Sequence, residues 1–296
     1  MSLSQAGRPG PDEPAILARF GLAPDSLLGA GGESRVFALD CDRVLRIFHP
    51  SRTAPDPRPA LLMASWADVD AGVRVPVVLD RGRHGSQHWT IDRRIPGRSL
   101  LDVLRETPDA ARRQLLLVAA LDVAARLRTL PIPSGPYRTL FTDDPPAPTL
   151  AGLLDQRVAA GTRDTWHLLA RRVPDLAGER RRLQEELAAR DVPPAFVHLD
   201  FYPGNVLAED GRITGVCDIS VHALAADPVL DEVAAACLLI GYPDAERDAR
   251  ALLPVLAERL GTDAWLVDTY RRFYGFYYAM DAALLDWAAA QFRPVR

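Results

Sequence analysis

The sequence predicts an α+β protein with two lobes, a small antiparallel β-sheet lobe followed by a larger, mainly helical lobe. Three observations predict this fold class. Short apolar segments separated by turns fill the first third of the 296 residues, and apolar residues at helical spacing dominate the rest. The turn dipeptide Pro96-Gly97 lies in a connector between the two regions. Residues 1–93 are therefore predicted to form the first lobe, and residues 94–296 the second.

The first lobe begins with residues 1–11, which are polar, rich in Gly and Pro, and predicted to be a flexible leader. A glycine cluster, Gly29-Ala30-Gly31-Gly32, then separates apolar segments as a turn between strands does. The order strand, turn, strand indicates an antiparallel sheet rather than a βαβ unit. Further patterns predict strands at residues 35–39, 43–48, 75–79 and 88–92, and a helix at residues 59–69.

The second lobe carries helical apolar spacing over most of its length. This spacing predicts helices at residues 99–105, 109–130, 149–160, 176–189, 229–240, 245–260 and 263–292. Two short apolar strands interrupt the helices, at residues 196–199 and 213–217. The chain contains no internal repeat.

Charge and cysteine content narrow the function classes. All 35 basic residues are arginine and the net charge is −4, so no nucleic-acid partner is expected. The three cysteines form no CxxC pair, which indicates neither a disulfide framework nor a zinc site and favours a cytoplasmic location. The longest apolar run, at residues 233–240, is too short to span a membrane, so no membrane partner is expected. The chain is expected to be a monomer or a homodimer.

The segment from His198 to Asn205, with Asp218 after the next apolar strand, has the residue types that phosphoryl transfer needs. The transferring group is densely negative, so one or two Mg2+ ions must be held against it. Mg2+ prefers oxygen ligands, which the Asn205 amide and the Asp218 carboxylate can supply. Asp200 is suited to orient the attacking hydroxyl and accept its proton. Because Pro203-Gly204 can turn the chain, Asp200 and Asn205 are predicted to enter one cleft.

Four features occur in one order: a glycine loop, a basic residue in the third strand, an HxDxxxxN loop and an aspartate after a strand. The segment FVHLDFYPGNVL…ITGVCDIS…DPVLDEVA resembles the aminoglycoside phosphotransferase and choline kinase-like family of small-molecule kinases. This resemblance implies a bilobal protein-kinase-like fold with ATP between the lobes. It also implies that Asp200 is the catalytic base and that Asn205 and Asp218 bind Mg2+.

Two further residues of this segment have supporting roles by the same resemblance. His198 would support the catalytic loop rather than contact substrate. Asp231 would brace that loop by accepting backbone hydrogen bonds. Asp231 is equally compatible with a simple acidic residue at a helix N-terminus, where the helix dipole favours negative charge.

The segment LLGAGGESRVFAL resembles the family's nucleotide-covering loop. Gly31 and Gly32 would let the backbone approach the phosphates closely, and Ser34 would donate a hydroxyl hydrogen bond. An ordinary hairpin would carry the same glycine turn. Arg46 occupies the place of the third-strand lysine and would contact the α- and β-phosphates bidentately, the alternative being an exposed strand arginine.

The glutamate that usually pairs with the third-strand basic residue is missing, because no glutamate occurs between Glu33 and Glu106. Either a shorter carboxylate pairs with Arg46, or phosphates alone hold it. The shorter carboxylates near the predicted helix are Asp56, Asp68 and Asp70.

Two other segments bear on the nucleotide site and on the class of kinase. Asp218 is followed by Ile219-Ser220 rather than Phe-Gly, which argues against a protein kinase with a mobile switch loop. Backbone groups of residues 92–94 are expected to hydrogen-bond the adenine, because these residues lie where the lobes join.

Candidates for acceptor contacts lie in the C-terminal helical region. Tyr270, Tyr274 and Tyr277 recur at helical spacing, and Asp281 extends the same face. These residues either form a wall for a polar or cationic acceptor or, as this period more often indicates, pack against the core. The further acidic candidates are Glu232 and Asp286.

Two functions of different classes are compatible with the sequence. The first is an ATP- and Mg2+-dependent phosphotransferase acting on a hydroxyl of a small molecule, either an aminoglycoside-like antibiotic or a hydroxylated metabolite. The second is a catalytically silent kinase-fold protein that binds nucleotide, which the missing glutamate favours. The joint presence of Asp200, Asn205 and Asp218 favours the first, and Mg2+-dependent nucleotide turnover discriminates the two.

Overall fold

The computed structural model describes residues 8–31, 34–50, 57–67, 69 and 72–293, and it confirms the α+β prediction. The first third forms a five-stranded antiparallel sheet in the order β1-β2-β3-β5-β4. Its elements are α1 (Glu13–Arg19), β1 (Leu27–Ala30), β2 (Ser34–Ala38), β3 (Arg43–Phe48), α2 (Pro57–Ala64), β4 (Val78–His84) and β5 (Gln87–Arg93). The division into domains at residue 93 stays a prediction.

The rest of the chain is mainly helical, as predicted. Its helices are α3 (Leu100–Glu106), α4 (Ala110–Leu127), α5 (Leu150–Thr162), α6 (Trp166–Ala170), α7 (Leu176–Leu187), α8 (Val229–Cys237), α9 (Ala245–Leu260), α10 (Trp265–Tyr277) and α11 (Leu285–Ala290). Several helices begin where the sequence places a cap, as at Asp109, whose carboxylate accepts from the Arg112 amide.

Two three-stranded sheets are inserted among these helices. One has the order β10-β9-β6 and the other β7-β11-β8. Their strands are β6 (Arg98–Ser99), β7 (Arg138–Thr139), β8 (Ala195–Val197), β9 (Val206–Glu209), β10 (Arg212–Val216) and β11 (Leu224–Ala226). Of these strands, sequence analysis predicted β8 and β10, each of which lies in an apolar run, whereas the other four are too short to show a period.

The strand predicted at residues 75–79 is displaced in the structure, since β4 begins at Val78. Upstream of β4, Arg74 forms an isolated parallel bridge with Gly215 of β10. The Arg74 amide donates to the Thr214 carbonyl at 3.1 Å, and the Val216 amide donates to the Arg74 carbonyl at 3.0 Å. These contacts tie the chain leading into β4 to the strand that precedes Asp218.

The single helix predicted for residues 263–292 is wrong. α10 ends at Tyr277, two 3-10 turns follow at Tyr278–Met280 and Ala282–Leu284, and α11 begins at Leu285. Asp281 starts the second turn, because its side chain accepts a hydrogen bond from the Ala283 amide at 2.9 Å. Tyr278 lies in the first of these turns, directly after the end of α10.

Two hydrophobic clusters hold the elements together. The larger lies among the helices and includes α8, all nine of whose residues are buried. The smaller packs α1 on one face of the five-stranded sheet, where Leu45 and Ile47 of β3 point. Because side chains alternate along a strand, Arg46 points to the opposite face of the sheet.

No helix within the described part of the chain combines the length and the apolar character needed to cross a membrane.

Candidate active site

The loop between β8 and β9 brings Asp200 and Asn205 into direct contact. The Asn205 Nδ2 group donates to the Asp200 carbonyl at 2.9 Å and to Asp200 Oδ2 at 3.0 Å. A 3-10 turn at Pro203–Asn205 closes the loop, as the Pro-Gly dipeptide predicts. The two side chains therefore meet, as the spacing predicts, and their entry into one cleft stays a prediction.

Asp218 joins this loop through the backbone at the end of β10. The Cys217 amide donates to the Asn205 carbonyl at 2.8 Å, and His198 Nε2 lies 2.9 Å from the Cys217 carbonyl. Asp218 itself has a φ of 61°, a left-handed conformation that costs a non-glycine residue energy. Its side chain is 47% exposed, so part of its carboxylate is open to solvent.

Arg46 reaches the same place from the five-stranded sheet. Its Nη1 lies 3.8 Å from Asp218 Oδ1, and its Nε lies 3.2 Å from Asp92 Oδ2. The Asp92 side chain is only 6% exposed. Burial raises the pKa of Asp92 above its ordinary value, and the guanidinium of Arg46 opposes that rise.

Asp92 is thus a partner of Arg46 that sequence analysis missed, and it comes from β5 rather than from a helix. Arg46 pairs with Thr90 in the sheet register, so Asp92 lies two residues further along on the same face. The available signal was the alternation in β5 of apolar Trp89 and Ile91 with polar Thr90 and Asp92. The acids considered from the sequence, at positions 56, 68 and 70, lie outside the described residues.

Replacing Asp92 tests whether it orients Arg46 for phosphate. We expect Asp92→Asn to raise the KM for Mg-ATP about tenfold to a hundredfold, because a hydrogen bond to a charged group contributes about 1.5–3 kcal/mol. Initial rates at varied nucleotide concentration measure this change. Asp80→Asn on the neighbouring strand β4 is the matched control, since Asp80 is exposed and accepts only from the Arg81 amide. Equal KM values for the two variants would contradict the assignment.

Asp231 lies in the first turn of α8 and contacts the backbone just before Asp200. Its Oδ2 accepts from the His198 amide at 2.7 Å, and its Oδ1 accepts from the Leu199 amide at 2.9 Å. Leu199 has a φ of 67°, so these two bonds hold a strained stretch of backbone. Burial raises the pKa of Asp231 to about 6, although His198 and the two amides oppose that rise. These contacts are those of a brace for the loop.

The glycine loop is described up to Gly31, and Gly32 lies outside the described residues. The Gly31 amide donates to the Ser34 carbonyl at 2.9 Å, and its carbonyl lies 3.1 Å from His49 Nε2. The Gly31 amide is therefore bonded within the hairpin rather than directed to a phosphate. Ser34 is buried and shares the sheet face of Arg46, because Val36 pairs with Arg46 in the register.

The backbone groups expected to bind adenine are partly engaged elsewhere. The Arg93 amide donates to the Val77 carbonyl at 2.8 Å, and the Arg94 amide donates to the Asp42 carbonyl at 2.8 Å. These two amides stabilise the end of β5 instead. These two amides are not available to a base, and the adenine contact through other backbone groups of residues 92–94 stays a prediction.

The tyrosine stripe of α10 packs in the core. Tyr274 is fully buried, and its hydroxyl donates to the Leu230 carbonyl at 3.0 Å. Tyr270 donates to Asp227 Oδ2 at 2.7 Å and is also fully buried. Burial raises the pKa of both phenols well above the ordinary value. The structure favours the packing alternative for this stripe, and Tyr274 has no exposed surface for an acceptor.

The acidic acceptor candidates also have structural partners. Glu232 is buried and forms an ion pair with Arg128. Asp281 caps the turn described above, and Asp286 lies 2.7 Å from Arg172. The Glu232 side chain is only 7% exposed, so its carboxylate is engaged by Arg128 and offers little surface to an acceptor.

Tyr278 is a site residue that sequence analysis missed. Its hydroxyl donates to Asp200 Oδ1. The sequence carried a signal, because Tyr270, Tyr274 and Tyr278 are spaced by four residues, whereas the predicted face included Tyr277. Tyr277 instead contacts His222 Nδ1 through its hydroxyl.

The donor set beside Asp200 fits a magnesium ion that also binds phosphate. Within the described ranges, no cluster of three or more His, Cys, Asp or Glu side chains could hold a metal by itself. Asn205 uses Nδ2 for Asp200, which leaves its amide oxygen for another partner. Mg2+ is usually held by one or two side chains, waters and substrate phosphates, which matches Asn205 and the exposed carboxylate of Asp218.

Comparisons with known proteins agree with this fold. A model of the phosphotransferase enzyme family (APH) matches residues 26–272. No curated protein matches the sequence.

Solved structures of similar fold cover almost the whole chain. A thermostable mutant of aminoglycoside phosphotransferase APH(4)-Ia in apo form is 22% identical, with a TM-score of 0.66 over 94% of this chain and 95% of that one. A mutant of the same protein in ternary complex with ADP and hygromycin B is 21% identical, with a TM-score of 0.68 over 95% and 96%. The gentamicin-APH(2")-IIa complex is 15% identical, with a TM-score of 0.57 over 96% of each chain.

Proposed function

Since the chain belongs to the phosphotransferase enzyme family, whose model covers residues 26–272, we propose that it is an ATP- and Mg2+-dependent kinase for a small molecule. Family membership makes the chain a phosphotransferase with an alcohol group as acceptor. The proposal adds the nucleotide, the metal and the residues. The observation that carries it is the contact of Asp200 with Asn205, beside Asp218 and Arg46.

Each of these side chains has a role that its position supports. Asp200 orients the acceptor hydroxyl and takes its proton as the oxygen attacks the terminal phosphorus. Asn205 Oδ1 and the Asp218 carboxylate would hold Mg2+, which neutralises charge on the triphosphate when it is bound. Arg46 would bind the α- and β-phosphates, because its fork of donors matches phosphate oxygens and stays charged at all working pH values.

The acceptor is proposed to be a hydroxylated amine, either an aminoglycoside-like antibiotic or a metabolite. Two of the similar structures are described with hygromycin B and with gentamicin. The carboxylates of Asp200 and Asp218 add negative charge at the cleft, which favours a cationic acceptor. Expression in a susceptible bacterium should raise the inhibitory concentration of any antibiotic that is phosphorylated.

The alternative function, a catalytically silent protein that binds nucleotide, depends on the absence of a glutamate that could pair with Arg46. That argument is weakened by Asp92, whose carboxylate contacts Arg46 at 3.2 Å. A binding protein also has no need for a carboxylate in the position of Asp200 that is held on both oxygens.

The experiment is a turnover screen of the purified full chain. ADP release is followed with Mg-ATP, and separately GDP release with Mg-GTP, against hygromycin B, gentamicin, kanamycin and hydroxylated amines such as choline. Mass spectrometry of the acceptor then identifies a phosphate ester. The Asp200→Asn variant, purified in parallel, controls for contaminating kinases. We expect acceptor-dependent release that needs Mg2+, whereas no turnover with any nucleotide would support the silent alternative.

A further inference from the structure

We infer that Tyr278 is a positioning residue for Asp200, an inference that rests on the proposed function. The two residues are 78 positions apart, and Tyr278 comes from the turn after α10 rather than from the loop itself. Its hydroxyl donates to Asp200 Oδ1 and lies 3.4 Å from the Leu199 carbonyl. A residue far along the chain therefore fixes the orientation of the carboxylate.

The carboxylate of Asp200 is held by a donor on each oxygen. Tyr278 donates to Oδ1, and Asn205 Nδ2 donates to Oδ2 at 3.0 Å. Rotation about the side-chain bond would break both contacts, so the carboxylate plane is fixed before an acceptor arrives. An ionised carboxylate has about four lone-pair sites, so positions remain for an acceptor hydroxyl. Such preorganisation makes the reacting geometry available without rearrangement.

Tyr278 is itself held in place by its neighbours. Its ring is stacked on Tyr274 with centroids 6.0 Å apart and meets Trp287 edge-on at 5.8 Å. Part of the ring is accessible, but the hydroxyl is buried. Burial, with the nearby charge of Asp200, raises the pKa of Tyr278 well above its ordinary value. The phenol therefore stays protonated and remains a donor over the working pH range.

A purely structural tyrosine one turn earlier provides a matched comparison. Tyr274 has the same side chain and lies in the same aromatic stack, yet its hydroxyl donates to the backbone carbonyl of Leu230. Removing that hydroxyl costs a buried hydrogen bond without touching Asp200. The difference between Tyr278→Phe and Tyr274→Phe therefore isolates the contact with the carboxylate.

Steady-state kinetics of the full chain test this inference. We expect Tyr278→Phe to lower kcat about tenfold to a hundredfold, the range for loss of a hydrogen bond to a charged group. The KM for Mg-ATP should change less than about twofold, because Tyr278 does not contact Arg46, Asn205 or Asp218 in the structure. Tyr274→Phe should leave kcat within about twofold of the wild-type value. It should lower Tm about as much as Tyr278→Phe does, because each variant loses one hydrogen bond.

A double variant separates positioning from stability. In the Asp200→Asn background, Tyr278→Phe should lower kcat little further, because the group that it positions is gone. If Tyr278→Phe lowers kcat by the same factor in the wild type and in Asp200→Asn, the inference is overturned. A kcat of Tyr278→Phe equal to that of Tyr274→Phe would also overturn it. Wild-type turnover reports on the proposed function separately. If the wild type turns over no acceptor, the proposed function fails and the inference fails with it, whereas wild-type turnover with unchanged Tyr278→Phe overturns the inference alone.

Discussion

Asp200→Asn should lower kcat about a hundredfold to ten-thousandfold, the range for removing a general base. The variant keeps the shape of the side chain and one acceptor oxygen, so the contacts from Asn205 and Tyr278 are only partly lost. It cannot take a proton from the acceptor hydroxyl. Because Asp200 would not bind the nucleotide, the KM for Mg-ATP should stay within a few-fold of the wild-type value.

Steady-state rates with the acceptor found in the turnover screen measure this loss. Asp210→Asn is the matched control, since Asp210 lies in the turn between β9 and β10 and carries the same substitution away from the cleft. Its φ of 50° is a conformation that asparagine also tolerates. A kcat for Asp200→Asn within about tenfold of the wild type would exclude Asp200 as the base.

Asp231→Ala should destabilise the fold by about 2–6 kcal/mol, since each of two buried amides loses its acceptor at about 1–3 kcal/mol. The amides are those of His198 and Leu199, and the Asp231 side chain is 1% exposed, so water cannot easily replace it. Urea denaturation measures the free energy of unfolding. The adjacent Glu232→Ala is the control, because Glu232 pairs with the partly exposed Arg128 and binds no backbone amide. Equal losses of unfolding free energy in Asp231→Ala and Glu232→Ala would contradict the role of Asp231 as a brace for the loop.

The raised pKa of Asp231 predicts in which direction the free energy of unfolding changes with pH. The pKa of this carboxyl is raised to about 6 in the folded protein, above its ordinary value of 3.8 in the unfolded chain. Between these values the folded state binds more protons, so this group's contribution to stability is present at low pH and is lost as the pH rises through about 6. The free energy of unfolding of the wild type minus that of Asp231→Asn should therefore fall from about pH 4 to about pH 7. If this difference in unfolding free energy stayed constant from about pH 4 to about pH 7, the raised pKa of Asp231 would be contradicted.

The contact of Asp200 with Asn205 could be predicted because the two residues are close in sequence. Asp200 and Asn205 lie on one short loop, and Asp218 follows the next strand, so local turn chemistry and residue type suffice. The order of strands first and helices afterwards could also be predicted, because apolar residues recur with the period of a strand or of a helix.

The partners of these residues could not be predicted, because they depend on long-range packing. Asp92 meets Arg46 only through the register of β3 with β5, 46 positions apart in the sequence. Tyr278, in the turn directly after α10 ends at Tyr277, meets Asp200 across 78 positions of sequence. Apolar spacing continues through that break, and the spacing alone therefore predicted one helix. The break depends on the turns at residues 278–284, which a period of 3.6 does not reveal.

The binding of a non-hydrolysable ATP analogue with and without Mg2+ tests the central claim, that Asn205 and Asp218 grip the metal beside Asp200. Calorimetric titration compares the wild type with Asn205→Ala and Asp218→Asn. The second variant should keep the backbone, because asparagine tolerates the φ of 61° at position 218. We expect Mg2+ to tighten nucleotide binding by the wild type and to have little effect on either variant. The same Mg2+ dependence in all three proteins would contradict the claim.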